Sequence, residues 1–302
     1  MKIYSKWVKK ECGSLKGKNV VITGADGSIG YYISYYTLLL GANVIMAIPN
    51  ISKGEQAKKE LLKVFPKANI TIKYVDLNIL DTIRPFVKTL KEYKPDILVN
   101  NSGVYHLPRA MNDYKLERTF SINYFGTSLL TQLIIPLLKE RNGKIVYQTS
   151  ISTTWFKELD LNDLFGLKIK KETKYYSLTK KLALLNGLRL KRAGESVDFA
   201  HPGASPTGLF DYKRGGFSRA FTKYVVPLMR PLFNSPSKAS LSAIYAMTHD
   251  LKYGEWVGPI NFFHLNGYPH VSKISKTNLD SEIQNELLIK TNALVNKENQ
   301  LK

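Results

Sequence analysis

Residues 20–32, VVITGADGSIGYY, join an apolar run to glycines at 24, 27 and 30 and then to a stretch able to open a helix. Two readings fit these residues. One is a tight turn that happens to hold three glycines. The other is a cradle in which backbone N–H groups and a helix N-terminus face a phosphate. The stretch alone leaves both open, and the remainder of the chain decides between them.

Short β-branched runs recur at NVVITG (19–24), NVIMAI (43–48), NITIKYVD (69–76), DILVNN (96–101), GKIVYQTS (143–150) and ESVDFAHPG (195–203). The first five are spaced widely enough for a crossover helix between each pair. Continuous apolar strands suit a parallel sheet buried on both faces. The alternation predicts one α/β domain over residues 1–302, a doubly wound, Rossmann-type parallel sheet with helices on both faces. Residues 1–16 read as an N-terminal extension. A further strand near GPINFF (258–263) and a terminal helix through SEIQNELLIKTNALVNK complete the expected fold. In this frame the three glycines lie between the first strand and the first helix, where a pyrophosphate cradle belongs. The cradle reading leads.

Composition narrows the function. Cys12 is the single cysteine, which excludes an internal disulfide and any cysteine metal cluster and predicts a reducing, cytoplasmic setting. The five histidines are scattered, so no metal site is predicted. The net charge of +20 can mark a polyanionic partner, but the lysines form no dense block and no nucleic-acid motif accompanies them. No specific nucleic-acid partner is expected. The most apolar stretches are broken by Gly41 and Asn43, or by Pro227, Arg230 and Pro231, and read as core and loop rather than as bilayer spans.

Four further features stand in order: Asn123 in SINYFG, Ser150 after a strand, Tyr176 with Lys180 in YSLTK, and HPGASPT at 201–207. Singly, each is commonplace. Together and in register with the sheet they fit one reaction. Tyr176 and Lys180 lie one helical turn apart on a shared face. A phenol of ordinary pKa about 10 is a poor base at neutral pH, and a neighbouring ammonium is expected to lower it. Ser150 can stabilise a substrate oxygen whose charge changes, and Asn123 can hold a water that relays protons to Lys180. The arrangement suits hydride transfer between an alcohol and a carbonyl, with a nicotinamide carrying the hydride.

With these residues in view, the chain resembles the short-chain dehydrogenase/reductase family from about Gly17 to the C-terminus. The resemblance rests on TGADGSIG, VDLN, NNSG, the Asn123 motif, Ser150, YSLTK and HPGASPT. It implies a catalytic tetrad of Asn123, Ser150, Tyr176 and Lys180. It implies cofactor contacts from Thr23, Gly24, Asp26, Gly27, Ser28, Ile29 and Gly30. Asp76 and Leu77, Asn100, Ser102 and Gly103, Pro202 and Gly203, and Thr207 complete the implied cofactor site, with Asp76 at the adenine and Thr207 at the nicotinamide amide. The 26-position separation of Ser150 from Tyr176, and YGEWVGPINFFHLNGYP near the end, are similar to a retinol-dehydrogenase-like subgroup. The family also implies a homodimer or tetramer.

Two departures stand out. The second loop glycine falls at 27, leaving Ser28 where compact members carry glycine. Its Cβ crowds the phosphate approach while its hydroxyl can donate to the phosphate. The end of the second strand, MAIPN, has neither the arginine nor the acidic residue that related members use there, so Lys53 and the positive charge favour NADP over NAD. The leading reading is a nicotinamide-dependent oxidoreductase acting on an apolar alcohol or carbonyl compound. The alternative is a dinucleotide-binding regulatory or scaffold protein with little turnover. Segments 151–172 and 205–235 are expected to shape the substrate pocket. In the second, Phe210, Phe217, Phe221 and Tyr224 suit either a lid or a peripheral contact with a membrane surface.

Overall fold

The computed structural model describes residues 2–105, 107–154, 159–163, 166, 168–169, 171–205, 233–261 and 264–299. Helix α1 (Lys2–Glu11) precedes β1 (Asn19–Thr23), and α2 (Ser28–Leu39), β2 (Asn43–Ile48), α3 (Ile51–Val64) and β3 (Ile70–Tyr74) follow. Next come α4 (Ile83–Leu90), β4 (Ile97–Asn100), α5 (Arg118–Lys139), β5 (Lys144–Gln148), α6 (Glu172–Arg192) and β6 (Val197–Ala200). Helix α7 (Leu241–Thr248), β7 (Glu255–Asn261), β8 (Asn266–Lys273) and α8 (Ser281–Asn299) end the described chain. All six expected runs are strands.

The sheet order is β3-β2-β1-β4-β5-β6-β7-β8, parallel throughout except for the antiparallel β7–β8 pair. Alternate residues of each central strand enter different layers. Val20, Ile22, Val44 and Met46 pack with Ile33, Leu61 and Ile244 on one face. Val21, Ile45 and Leu98 pack with Phe86, Phe120 and Leu184 on the other. Burial on both faces explains why these strands are apolar at every position. Helix α5 is long and apolar enough for a bilayer, yet most of it is buried against its neighbours, as in a core helix.

The chain winds outward from β1 in both directions, through β2 on one side and β4 on the other. A crevice opens outside the carboxyl ends of strands at such a reversal. The glycine loop after β1 sits at that point.

Three regions differ from expectation. Strand β7 begins at Glu255, earlier than the expected start at 258. Strand β8 was not foreseen, because NGYPHVSK carries Gly267 and Pro269 and lacks a clean alternation. It is an edge strand, where proline is tolerated. The extension at residues 1–16 is largely helix α1, anchored by fully buried Val8 and by Trp7 stacked on Tyr268 at 5.6 Å. Only residues 205 and 233–235 of the expected lid are described. Thr207, Phe210, Phe217, Phe221 and Tyr224 lie outside the described residues.

Candidate active site

Geometry makes the loop after β1 specific for glycine. Gly24 has φ +62°, and a Cβ there would meet Ser102 Oγ at 2.9 Å. A Cβ at Gly30 would run into the Gly24 carbonyl and come within 2.8 Å of Asn101 Nδ2. Gly27 is the N-cap of α2 and supplies no side-chain cap, so the first N–H groups of the helix are left for another acceptor. Ser28 begins the helix and is exposed.

Thr23 ties this loop to the next strand. Its Oγ1 accepts from the N–H groups of Asn101 (3.0 Å) and Ser102 (2.9 Å) and donates to the Val99 carbonyl (3.3 Å). Asn101 Nδ2 returns a bond to the Thr23 carbonyl at 2.8 Å.

The loop opens into a cleft of about 720 Å³, within the usual range for cofactor and small-molecule sites. Gly24, Asp26, Gly27, Ser28, Ile29 and Gly30 line one end, with Asp76 and Leu77 beside them. Ser102, Gly103, Ser150, Tyr176, Lys180, Pro202 and Gly203 line the remainder. The uncapped helix start and close-packed glycines fit the pyrophosphate of a dinucleotide. Asn100 does not join this lining. Its Nδ2 donates to Thr131 Oγ1 at 2.8 Å in the core, because strand alternation turns residue 100 away from the crevice and presents Asn101 instead.

At the far end Tyr176 lies half-buried on α6, with its phenol hydrogen-bonded to the Ser150 side chain. Ser150 Oγ accepts from Ser152 N (3.2 Å) and Ser152 Oγ (3.0 Å), which leaves its own proton for the Tyr176 phenol oxygen. Lys180 Nζ donates to the Gln148 carbonyl at 3.0 Å, and a Cβ at Gly103 would come within 2.8 Å of it. Gly103 therefore leaves room for the ammonium.

One expectation about this end is corrected. Seclusion from water pushes the Tyr176 phenol up to about 12, and the Ser150 hydrogen bond only partly offsets that rise. Burial also holds Lys180 down to about 8. The ammonium is held by the Gln148 carbonyl, so it does not draw the phenol below its ordinary value in this state. Asn123 sits in a π-turn of α5 over Ser121–Phe125. Its Nδ2 donates to the Val104 carbonyl (2.9 Å) and Thr179 Oγ1 (3.0 Å), while its Oδ1 accepts from Val104 N (2.8 Å). A side chain so engaged, 2 % exposed, shapes the loop that carries Gly103 and Tyr105.

Sequence reading missed Asn101 and Tyr105, both in the cleft lining. Strand parity beyond DILVNN could have found Asn101. Nothing local marks Tyr105, which meets Tyr176 only through the fold.

A family model described as short chain dehydrogenase matches residues 18–156. Retinol dehydrogenase 14 of Mus musculus is 30% identical over 244 residues, covering 75% of this chain and 70% of that protein. Retinol dehydrogenase 13 of Mus musculus is 30% identical over 240 residues, covering 77% and 72%. The chain belongs to the short-chain dehydrogenase family. A crystal structure of an uncharacterised protein from Mycobacterium paratuberculosis has the same fold, with TM-score 0.74 and 25% identity, over 94% of this chain and 96% of that one. As a short-chain dehydrogenase, the protein is an NAD(P)-dependent oxidoreductase acting on alcohol and carbonyl groups. A binding protein without turnover is not favoured.

Proposed function

We propose that the cleft interconverts an apolar alcohol and its carbonyl compound, with Tyr176 moving the proton and NADP preferred over NAD. The observation that carries this reading is the pairing of the Tyr176 phenol with the Ser150 hydroxyl on the cleft wall, one helical turn from Lys180. A bound nicotinamide supplies or takes the hydride. Tyr176 holds its proton in the ligand-free state, the form needed to protonate a carbonyl oxygen during reduction. Ser150 donates to the same oxygen as charge gathers there. Lys180, which lines the cleft, would offer its ammonium to a ribose hydroxyl of the bound cofactor. Asn123 positions the loop at Gly103–Tyr105.

At the adenosine end, Asn50 accepts from Lys53 N at 3.0 Å and so caps α3. Ile48 is buried, and Lys53 lines the cleft with its side chain exposed. A cation there, set against Asp26 and Asp76 in the same lining, supports NADP. Leu107, Ile122, Ile151 and Leu265 supply an apolar wall at the other end. The retinol dehydrogenases that this chain is similar to are named for an apolar alcohol, which supports the same substrate class.

Calorimetry with NADP(H) and NAD(H), followed by a carbonyl screen read by nicotinamide absorbance, tests the proposal. Tighter NADP binding and turnover of apolar aldehydes or ketones are expected. Folded protein that binds neither dinucleotide would remove the proposal.

A further inference from the structure

Tyr105 stands two residues beyond Gly103, at the reacting end of the cleft. Its ring meets that of Tyr176 edge to face, with centroids 5.0 Å apart and planes at 90°. The preceding residue, Val104, is held through both its N–H and its carbonyl by Asn123. Downstream, Arg109 pairs with Glu172 at 3.5 Å, bonds the Ile169 carbonyl and lies over the Tyr175 ring at 4.7 Å. Glu172 is also close enough to Tyr105 to add to the upward push that burial gives its phenol. The backbone beside the ring is thus held by Asn123, and the ring itself packs on Tyr176. It lines the cleft, with Leu107, Ile151 and Leu265 continuing the apolar lining.

We infer that Tyr105 is a specificity-determining residue: its ring is the wall beside the reacting carbonyl, and it selects a flat aromatic or conjugated carbonyl compound over a branched one. The inference rests on Tyr176 being the proton-transfer group. A carbonyl oxygen between the Tyr176 phenol and the Ser150 hydroxyl puts its substituent alongside the Tyr105 ring, which packs on Tyr176. Flat π systems gain contact with such a ring, whereas a quaternary carbon meets it sterically.

The test compares benzaldehyde with pivaldehyde as probes on the full chain with saturating NADPH, for wild type, Tyr105→Ala and Tyr105→Phe. Wild type should favour benzaldehyde in kcat/KM. Tyr105→Ala should raise KM for benzaldehyde about 3- to 10-fold, with kcat changed much less, and should improve pivaldehyde, narrowing or inverting the preference. Tyr105→Phe should recover most of the preference lost in Tyr105→Ala, since the ring does the selecting. A Tyr105→Ala variant that keeps the wild-type ratio, or loses kcat on both probes alike with KM unmoved, overturns the inference. If wild type turns over neither probe, the fault lies with the reading of Tyr176. Calorimetry of benzyl alcohol and neopentyl alcohol on cofactor-loaded protein then decides on Tyr105: loss of the benzyl preference in Tyr105→Ala upholds the wall, and equal affinities in wild type overturn it.

Discussion

Asn123 grips Val104 from both sides, its Oδ1 accepting from the Val104 N–H at 2.8 Å and its Nδ2 donating to the Val104 carbonyl at 2.9 Å. A third bond, to Thr179 Oγ1 at 3.0 Å, links the same amide to α6, and Thr179 in turn donates to the Tyr176 carbonyl at 2.8 Å. The residue therefore sets the distance between the Gly103–Tyr105 loop and the proposed catalytic helix.

Replacing Asn123 by Ala should leave the Val104 groups without partners, at a cost of about 1–3 kcal/mol. Misplacing the loop should lower kcat by up to about 10²-fold. Asn123→Asp is the informative companion, because it keeps the acceptor for Val104 N–H and loses both donors. It should lie at or below Asn123→Ala in denaturation midpoint, because the buried carboxylate would face the Val104 carbonyl oxygen. Equal midpoints for all three proteins would show that the grip does not matter.

Adjacent tyrosines on α6 have opposite surroundings. Tyr176 faces the cleft, whereas Tyr175 is 1 % exposed, and burial with the nearby Glu117 carboxylate drives its phenol well up. Tyr176→Phe should lose about 10²–10⁴-fold in kcat with cofactor affinity retained. Tyr175→Phe should alter stability while leaving kcat near the wild-type value. Turnover and calorimetry on both variants check the register, and the reverse pattern would shift the proposed acid/base by one residue.

Where sequence and structure agree, a local pattern and a tertiary requirement coincide. Val20 to Thr23 are apolar or small because both faces of β1 are covered, so the run itself reports a central parallel strand. Tyr176 and Lys180 were legible because helical spacing alone places them together. Asn100 and Asn101 were harder, since NN conceals which member turns inward until the strand end is known. The direction of the Tyr176 shift depends on seclusion from water and on a lysine held by Gln148, neither of which spacing encodes. Strand β8 was invisible for a related reason: an edge strand needs no apolar run.

Asp198 on β6 is 2 % exposed and pairs with two lysines, Lys144 at 2.9 Å and Lys191 at 2.5 Å. Lys144 also meets Asp250 at 2.7 Å, but that carboxylate is exposed. Asp198→Asn would leave two secluded ammonium groups with one fewer negative charge between them. A loss of about 3–5 kcal/mol is expected, visible as a lower urea midpoint with an unchanged slope. A midpoint within experimental error of wild type would mean that water or Asp250 replaces the lost charge.

Lys180 links the site to pH. Its folded value of about 8 lies below the ordinary 10.5, so the unfolded chain holds more protons between those values, and stability rises with pH there. Below about 8 both states are protonated, and the cost of burying the ammonium is fully present. Tyr176 acts in the opposite sense, but only above its ordinary value of 10.0, because its folded value is raised to about 12. Ligand-free wild type should therefore gain stability relative to Lys180→Met as pH rises from about 8 toward 10, by no more than ~1.4 kcal/mol per pH unit. Denaturation curves across this window check the sign, and a constant difference between the two proteins would count against it.

Cofactor choice isolates Lys53. Its backbone N–H already serves the Asn50 cap, so shortening the side chain leaves the start of α3 intact. Its exposed ammonium is the cation at the adenosine end of the cleft lining, and a 2′-phosphate would add charge where a 2′-hydroxyl adds none. Lys53→Ala should weaken NADP binding about 5- to 10-fold and leave NAD binding within twofold, since only the phosphate makes a charge-assisted contact. Raising ionic strength should narrow the gap between the two cofactors on wild type and have little effect on the variant, because exposed charges are screened. Calorimetry at low and high salt measures both. If Lys53→Ala weakens NAD and NADP equally, the side chain serves the pyrophosphate or the fold, and the preference for NADP loses its physical basis.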